Sequence, residues 1–483
     1  SSRAAPGLTD LGNAKRFSAI FGQDVRFVYL GKRWYTWTGK YWRLDDTGRV
    51  MRLAQETVST IFAEAAAEAD TDRSTRLFRH GVASESATKL RAMISLAEAE
   101  EQIAIPSGQI DQDPWKLSVL NGTVDLRTGE LKDHAREDMI TRLCPVKFEP
   151  NATCPTWDKF LWEIMEEDAD LIQFLHRFLG YSLTGSVREQ KLSFLHGTGR
   201  NGKSTFLATI QALLGDYSKQ GAPELLLSSK FGRHPTEIAD LHGARFVVCN
   251  EIDRGRAFAE ASIKQITGGD KIKARHMGKD FFEFVPTHKL WVAANHKPII
   301  KGNDEGIWRR VLLIPFNVAI PEEKQDKDLM SKLQRELPGV LNQLIRGCLS
   351  WQKDGLRPPD KVLYATQEYR EQLDPLKQFF EECCVLDKEA RVHPKILYQA
   401  FLDWVEENHE TPMKPRYFAM LLRERGFRTG KPSKKGSKKT YRPWEGVRLQ
   451  TIEDRMPDDP RVVNFNNRRS SNGRSYRNGP KTK

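Results

Sequence analysis

The chain has 483 residues, of which 76 are Lys or Arg and 64 are Asp or Glu, and its formal net charge is +12. This length exceeds what one hydrophobic core usually supports, so two to four domains are expected, and the excess positive charge favours a polyanionic partner. A mean hydropathy of −0.57, with no apolar run of membrane length, excludes a membrane-spanning protein and predicts a soluble one.

The opening segment and the cysteines give weaker indications. The chain opens with SSRAAPGLTD, which has no hydrophobic segment and no initiator Met, so a truncated start is expected rather than a signal peptide. The cysteines show no C-x-x-C spacing with histidines, so we expect neither a zinc site nor a disulfide framework, and a reducing interior is the simple inference. They are Cys144, Cys154, Cys249, Cys348, Cys383 and Cys384.

Residues 1–150 are predicted to form an α+β domain that begins with a helix and continues into RFVYLGKRWYTWTGKYWRLDD. The sequence Thr38-Gly39-Lys40 interrupts this aromatic run and is typical of a hairpin turn. We expect the aromatic side chains to form a small core. The alternative is a platform on which unpaired bases stack, with phosphates held by Lys32, Arg33, Lys40 and Arg43.

The same domain contains two close groups of carboxylates, Asp45-Asp46 and Asp111-Gln112-Asp113. Each group lies beside Gly or Pro in a turn context, so we expect turn and cap residues. No histidine motif completes a polymerase site. We therefore predict no primase active site in this chain.

A nine-residue segment, GTGRNGKST at 197–205, matches G-x-x-x-x-G-K-[ST]. An apolar strand is predicted before it at 191–196 and a helix after it at 204–214, which is the context of a P-loop. Lys203 would reach the β- and γ-phosphates and Ser204 would hold Mg²⁺. The predicted phosphate-binding residues are Gly197, Thr198, Gly199, Arg200, Asn201, Gly202, Lys203, Ser204 and Thr205. The segment predicts binding of a nucleoside triphosphate.

A second apolar strand is predicted at 244–250 and is followed directly by acidic residues. A carboxylate at the end of a strand beside a P-loop can hold Mg²⁺ or orient the attacking water. Glu251 is the first candidate for this role and for the metal, and Asp253 is the second. The usual pair of adjacent acids is not present, because Asn250 occupies one of the two places.

Residues 271–277 and 281–284 are predicted to be two strands joined by a turn at 278–280. Their basic side chains are expected on one face and at the tip. A solvated face is the common explanation of such a charge run. In a ring, the hairpin would line the channel and contact a nucleic-acid backbone. The candidate DNA-binding residues here are Lys271, Lys273, Arg275, His276 and Lys279.

A third apolar strand at 290–294 ends at Asn295, whose amide could bond the γ-phosphate or the attacking water, as a sensor residue does. Arg309 and Arg310 then precede another strand. They are either a surface pair or an arginine finger, which would reach the nucleotide of a neighbouring subunit in a head-to-tail ring.

The C-terminal part is predicted to begin with helices at 321–372, followed at 373–450 by a winged helix-turn-helix domain. Its recognition helix is predicted at 414–424, with Arg416 and Arg423 available for DNA. The residues predicted on the wing are Lys431, Lys434, Lys435, Lys438, Lys439 and Arg442, and a solvated basic loop is the alternative. The polar, basic tail at 451–483 is expected to be disordered.

The order GTGRNGKST, NEID, KQITGGDKIKAR, KLWVAANHKP and IWRRVLLIPF resembles the superfamily 3 helicases of phages, plasmids and poxviruses, which are usually joined to a primase. The resemblance covers residues 8–450. It implies an α/β fold with an AAA+ P-loop ATPase motor at 191–320 and a helical collar at 151–190.

The resemblance implies that the chain binds ATP and Mg²⁺ and forms a homo-hexamer that moves 3′→5′ on single-stranded or fork DNA. It also implies a primase that is fused upstream or supplied in trans. It also implies a phage or mobile element replicating in the cytoplasm of a bacterial or archaeal host.

Two other classes of function use some of the same motifs. An ATP-switched origin recogniser or loader would bind ATP and DNA but barely unwind, and it would have no use for a channel hairpin. A small-molecule P-loop kinase would have no use for a basic winged helix or a finger in trans. ATP hydrolysis stimulated by DNA would exclude the kinase.

Overall fold

The computed structural model of the chain describes residues 6–228, 235–278, 280–300, 305–408, 411–432, 441–451 and 454. The chain divides into two compact units, residues 1–373 and 374–483. Within the described ranges, no helix is both long and apolar enough to cross a membrane.

The N-terminal region combines helices with two small antiparallel sheets, ordered β1-β2-β3 and β4-β5-β6. Its elements in chain order are α1 Asp10–Phe21, β1 Val25–Val28, β2 Arg33–Trp37, β3 Trp42–Leu44, α2 Arg49–Ala67, α3 Thr71–Ser84, α4 Ala87–Ala97, β4 Lys116–Val119, β5 Gly122–Asp125 and β6 Glu130–Lys132. Helix α2 buries Val50, Leu53, Val58 and Ile61, and this spacing forms one apolar face toward the core.

The aromatic run contributes to this core. Trp42 is fully buried, and the ring of Trp34 packs against those of Phe17 and Phe27 with centroids 6.4 and 5.0 Å apart. Asp45 caps the start of α2, since its carboxylate accepts hydrogen bonds from the backbone N–H groups of Arg49 and Val50 at 2.8 and 2.9 Å.

The helices α5 Pro155–Ile164 and α6 Ala169–Leu183 lead into the central sheet region. This region continues with β7 Leu192–His196, α7 Lys203–Leu214, β8 Ser218–Gln220, α8 Pro235–Ala239, β9 Phe246–Asn250, α9 Glu260–Ile266, β10 Ile272–Ala274, β11 Phe282–Phe284, β12 Lys289–Ala294, α10 Glu305–Trp308 and β13 Val311–Pro315. The helices α11 Leu329–Arg335, α12 Leu337–Asp354 and α13 Asp360–Gln372 follow.

Five strands form one parallel sheet in the order β13-β7-β12-β9-β8. Strand β12 lies between β7 and β9, so Val292 is level with Phe194 on one side and with Cys249 on the other. The strands are apolar throughout because both faces are covered. This mixed α/β architecture is consistent with a P-loop core of the AAA+ kind, and it brings the carboxyl ends of β7, β12 and β9 to one edge.

Helices α6 and α12 cross at very close range, and two glycines make the contact possible. A Cβ at Gly180 would lie 2.1 Å from the backbone nitrogen of Cys348, and a Cβ at Gly347 would lie 2.0 Å from the carbonyl oxygen of His176. Any larger residue at either position would therefore push the two helices apart.

Strands β10 and β11 form a separate antiparallel hairpin, with Lys273 opposite Glu283. The predicted strands at 271–277 and 281–284 are longer than those observed. Residues 275–278, 280 and 281 lie outside the ladder, so the connection is wider than a tight turn.

The second unit comprises α14 Lys377–Cys383, β14 Cys384–Val392, α15 Pro394–Glu407, α16 Pro415–Glu424, β15 Arg428–Thr429 and β16 Trp444–Leu449. Its antiparallel sheet has the order β14-β16-β15. The rings of Phe379, Phe401, Phe418 and Trp404 pack together in its core. Strand β14 was not among the predicted elements.

Candidate nucleotide site and basic hairpin

The loop between β7 and α7 has the backbone shape that its glycines predict. Gly199, Arg200 and Gly202 have φ angles of 113°, 49° and 81°, so the chain turns sharply three times. Gly197 is enclosed, because a Cβ there would lie 2.1 Å from Asn201 Nδ2 and 2.2 Å from the carbonyl oxygen of Phe316. The loop is thus a tight cradle that a larger residue at 197 would fill.

The N-terminus of α7 faces this cradle without a side-chain cap. Gly202 occupies the N-cap position and supplies no capping oxygen to the first turn. Uncapped N–H groups at the start of a helix bind anions, and the helix dipole adds to the attraction. Thr198 and Ser204 are exposed beside them, and Thr205 is half-buried. Arg200 extends outward to Glu322 at 3.6 Å, an exposed pair that adds little stability.

Lys203 is only 6% exposed, and its ammonium group contacts three oxygen atoms. Its Nζ donates to the carbonyl oxygen of Gly197 at 2.7 Å, to Oδ1 of Asn201 at 3.0 Å and to Oδ1 of Asn295 at 3.1 Å. These acceptors are neutral, and burial lowers the pKa of Lys203. The contact with Asn295 joins the P-loop to the end of β12.

Glu251 follows β9 directly and has a φ of 61°, a left-handed conformation that is unusual for a residue with a side chain. Such a backbone costs on the order of 1–3 kcal/mol and is often found at functional sites. Its N–H donates to the carbonyl oxygen of Ala293 at 3.1 Å, which holds the start of this segment against β12. The side chains of Glu251 and Asp253 are both exposed.

Arg309 and Arg310 have different surroundings. Arg310 is 7% exposed and donates to Thr267 Oγ1 at 3.1 Å, to Gln190 Oε1 at 3.1 Å and to the carbonyl oxygen of Gly306 at 2.6 Å. Arg309 is exposed, and its guanidinium donates to the same Gln190 oxygen at the longer distance of 3.4 Å. Arg310 is therefore fixed within the subunit, while Arg309 can reach outward.

The hairpin presents its basic side chains around an aromatic ring. Lys273 Nζ and Arg275 Cζ lie 4.9 and 5.0 Å from the ring centroid of Phe281, which is 48% exposed. Lys271 is exposed on the same arm, and the ring of His276 stacks on Phe282 at 5.4 Å. Lys279 lies outside the described residues.

In the second unit, α16 exposes Arg416 and Arg423, and Arg423 lies 5.7 Å from the ring of Trp444. Lys431 is exposed and Arg442 is described beyond the gap. The other predicted wing residues, Lys434, Lys435, Lys438 and Lys439, lie outside the described residues, as does the predicted disordered tail apart from residues 451 and 454.

Three residues at the site were not identified from the sequence. Gln190 accepts hydrogen bonds from both arginines, and Thr267 accepts one from Arg310. His196 ends β7 beside Lys203, and burial, followed by the charges of Lys297 and Lys203, lowers its pKa. Gln190 and Thr267 have no local pattern to mark them, whereas His196 could have been noticed as the polar end of an apolar strand.

Three family models match successive parts of the chain: D5 N terminal like at residues 14–166, a family of unknown function (DUF5906) at 195–310, and Poxvirus D5 protein-like at 371–447. "Putative helicase L207/L206" of Acanthamoeba polyphaga mimivirus is 28% identical over 326 residues, and "Putative helicase 022R" of Frog virus 3 is 26% identical over 392 residues. Together, these family models and viral relatives support a D5-type primase-helicase family of superfamily 3 for this chain.

The chain spans less than half the length of these two viral relatives. The alignments cover 62% and 64% of this chain but only 34% and 40% of the two viral proteins. Among solved structures, the apo C-terminal region of NrS-1 matches this chain over 90% of its length and over 99% of the NrS-1 chain, with 9% identity and a TM-score of 0.49.

Proposed function

We propose that this D5-type chain is an ATP-dependent DNA helicase that moves as a ring on single-stranded DNA during replication. The observation that carries the proposal is the contact between Lys203 Nζ and Asn295 Oδ1 at 3.1 Å, with the strand of Glu251 next to that of Asn295. A P-loop lysine, a polar strand end and an acid on neighbouring parallel strands form the arrangement that nucleotide hydrolysis requires.

The residues present fit a nucleoside triphosphate with Mg²⁺. The enclosed loop at Gly197 and the uncapped start of α7 would hold the phosphates, and Lys203 would exchange its neutral oxygen partners for phosphate oxygens. Ser204 and Glu251 would hold Mg²⁺, which neutralises charge on the phosphates. Glu251 or Asp253 would orient a water molecule, and Asn295 would bond that water or the terminal phosphate.

The rest of the proposal concerns assembly and DNA. Arg309 is the better finger candidate, because Arg310 is committed to oxygens of its own subunit. A finger acting in trans requires a closed head-to-tail ring, and we propose a homo-hexamer. The hairpin residues Lys273 and Arg275 would contact the DNA backbone. The second unit, with α16 as recognition helix, would act as a winged helix on the fork, and movement would be 3′→5′.

The setting is also a proposal. The relatives named above are viral proteins, which agrees with a role in replicating a mobile genome. We also propose a phage origin in a bacterial or archaeal cytoplasm, and a primase that is joined to this chain upstream or acts in trans.

The test is ATP hydrolysis with and without single-stranded DNA, followed by displacement of a labelled strand from a fork. Wild type should be stimulated by DNA and should displace the strand, while Lys203→Ala should do neither. Lys273→Ala with Arg275→Ala should keep basal hydrolysis but lose the stimulation. Lys219→Ala, at an exposed position on edge strand β8, is the control for loss of a surface charge. Stimulated hydrolysis without strand displacement would instead support the ATP-switched loader.

A further inference from the structure

The N-terminal region contains a cavity that has no part in the nucleotide site. Its volume is about 400 Å³, within the size range of small-ligand pockets, and it lies between strands β2 and β3 and helices α1 and α2. Every lining residue falls between positions 21 and 53. They are Phe21, Asp24, Thr36, Trp37, Thr38, Arg43, Leu44, Asp45, Thr47, Arg49, Arg52 and Leu53.

The two carboxylates of this cavity are already bonded within the protein. Asp24 Oδ1 accepts from Arg136 at 2.7 and 3.1 Å. Asp45 accepts from the backbone N–H groups of Thr47, Arg49 and Val50. Burial alone would raise the pKa of Asp45, but these bonds together lower it, so the group remains an anion bound to the start of α2. Asp24 is thus paired with Arg136, while the Asp45 carboxylate is held at the start of α2.

The arginines are less committed than the acids. Arg49 pairs with Glu56 at 2.9 Å, outside the cavity. Arg43 lies 3.5 Å from Asp46, and both side chains are more than half exposed. Arg52 donates to the carbonyl oxygen and hydroxyl of Thr47, at 2.8 and 3.3 Å, which are neutral. Arg43 and Arg52 therefore supply positive charge that described carboxylates compensate weakly.

Guanidinium groups bind phosphate oxygens in pairs, and threonine hydroxyls can add further bonds. Trp37 lines the same cavity, half-buried, with Arg136 at 5.6 Å from its ring. Proteins that bind single-stranded nucleic acid often place an aromatic ring beside arginines. Bases then stack on the ring, and phosphates contact the cations. We propose that this cavity binds the phosphate backbone of single-stranded DNA through Arg43 and Arg52. This site is independent of the P-loop, so it stands or fails separately from the proposed motor.

The experiment uses the full chain carrying Lys203→Ala, so that the P-loop does not compete for nucleotide. Binding of a fluorescein-labelled oligothymidylate is followed by fluorescence anisotropy over a range of salt concentrations. Arg43→Ala with Arg52→Ala should weaken binding about tenfold and reduce the salt slope by about 1.4, since each phosphate contact on a single strand contributes about 0.7. Arg76→Ala with Arg79→Ala, at exposed positions on α3, removes the same charge and is the control.

Equal affinities and salt slopes for the two double variants would overturn the proposal. Free nucleotide is the other source of phosphate, so calorimetry with sodium tripolyphosphate forms the second arm. Triphosphate binding that is lost only in the cavity variant, with unchanged oligothymidylate binding, would overturn the strand assignment in favour of free nucleotide. Arg52→Glu, a single change at an exposed helix position, repeats the test with reversed charge if the double variant is unstable.

Discussion

The parallel sheet has a buried lysine at each end, and the two serve different purposes. Lys203 lies at the carboxyl end and is 6% exposed, while Lys289, at the amino end of β12, is 2% exposed. Burial lowers the pKa of both groups, and at Lys289 the charge of Arg245 adds to the effect. Burial of the cation therefore does not distinguish a ligand site from a structural contact.

The atoms that hold each cation do distinguish them. Lys289 Nζ donates to the backbone carbonyl oxygens of Thr184, Ser186 and Thr287, at the end of α6 and just before β12. Arg245, also buried, donates to the carbonyl oxygens of Leu183 and Lys116. The carboxyl end of a helix carries partial negative charge, which favours cations there. Two of the three oxygen partners of Lys203, in contrast, belong to side-chain amides, which can rotate to make room for the proposed phosphate.

Arg309 and Arg310 also differ in how firmly their partners hold them, and this difference gives the largest expected effect on ATP hydrolysis. Arg309→Ala should reduce ATP hydrolysis by about a thousandfold or more, as removal of a finger does, without loss of stability. Arg310→Ala should instead lower the free energy of unfolding by about 2–3 kcal/mol, because it leaves buried oxygens without donors. Steady-state hydrolysis and urea unfolding of both variants make the comparison.

An experiment that mixes variant and wild-type proteins tests whether Arg309 acts in trans. If Arg309 reaches a neighbouring subunit, the Arg309→Ala protein added to wild type should depress activity more than dilution alone does. Additive activities in the mixture, or a full loss with Arg310→Ala in a protein of unchanged stability, would contradict the assignment.

At the carboxyl end of the sheet, Lys203→Ala should reduce ATP hydrolysis by about 10²- to 10³-fold, the usual effect of removing one preorganised charge. Its thermal unfolding temperature should not fall, because its partners Asn201 and Asn295 can rebond to water or backbone. Hydrolysis and thermal unfolding are measured on the same preparation. Unchanged hydrolysis would contradict the P-loop assignment. A large fall in unfolding temperature would show that Lys203 makes a structural contact, as Lys289 does.

The strands that carry the site were predictable because both of their faces are buried. Apolar runs at 191–196, 244–250 and 290–294 predicted β7, β9 and β12 to within two residues, and each run ends beside a polar group. Strand β14 was missed because residues 386–389 are all exposed, with Leu386 at 66%, so neither an apolar run nor an alternation marks it.

The hydrogen-bond partners of the buried cations could not be predicted from the sequence, for a different reason. Gln190 bonds Arg310 across 120 positions, and Lys289 bonds the carbonyl oxygen of Thr184 across 105. Backbone carbonyls carry no sequence signal, so only the packing of α6 against the sheet reveals why a lysine is tolerated at position 289. Motifs predict the replaceable contacts of the site, whereas tertiary structure determines the fixed ones.

At the amino end, Lys289→Met should lower the free energy of unfolding by about 2 kcal/mol, because three carbonyl oxygens lose their donor. The gain from no longer burying an ammonium group opposes this loss. Lys219→Met, at an exposed position on β8, should change stability by less than about 0.5 kcal/mol. Equal or greater stability of Lys289→Met in urea unfolding would show that the desolvation cost exceeds the value of the bonds.

The smallest expected effect concerns His288, which precedes Lys289 and is 2% exposed. Burial, with a further contribution from the charge of Lys289, lowers its pKa from the usual 6.5 to about 4. Because the folded pKa is the lower one, the unfolded chain binds the proton first as pH falls. Stability from this group is complete above about pH 6.5 and declines toward pH 4, by about 1 kcal/mol between pH 7.5 and 5.5.

Replacing His288 by Gln should flatten this part of the stability profile, measured by urea unfolding at successive pH values. His296→Gln, in which an exposed histidine at the other end of β12 is replaced, is the control and should keep the wild-type slope. The comparison is sharp because the two histidines flank one strand. If both variants retain the slope, the pH dependence originates elsewhere, and the amino end of the sheet tolerates a second positive charge beside Lys289.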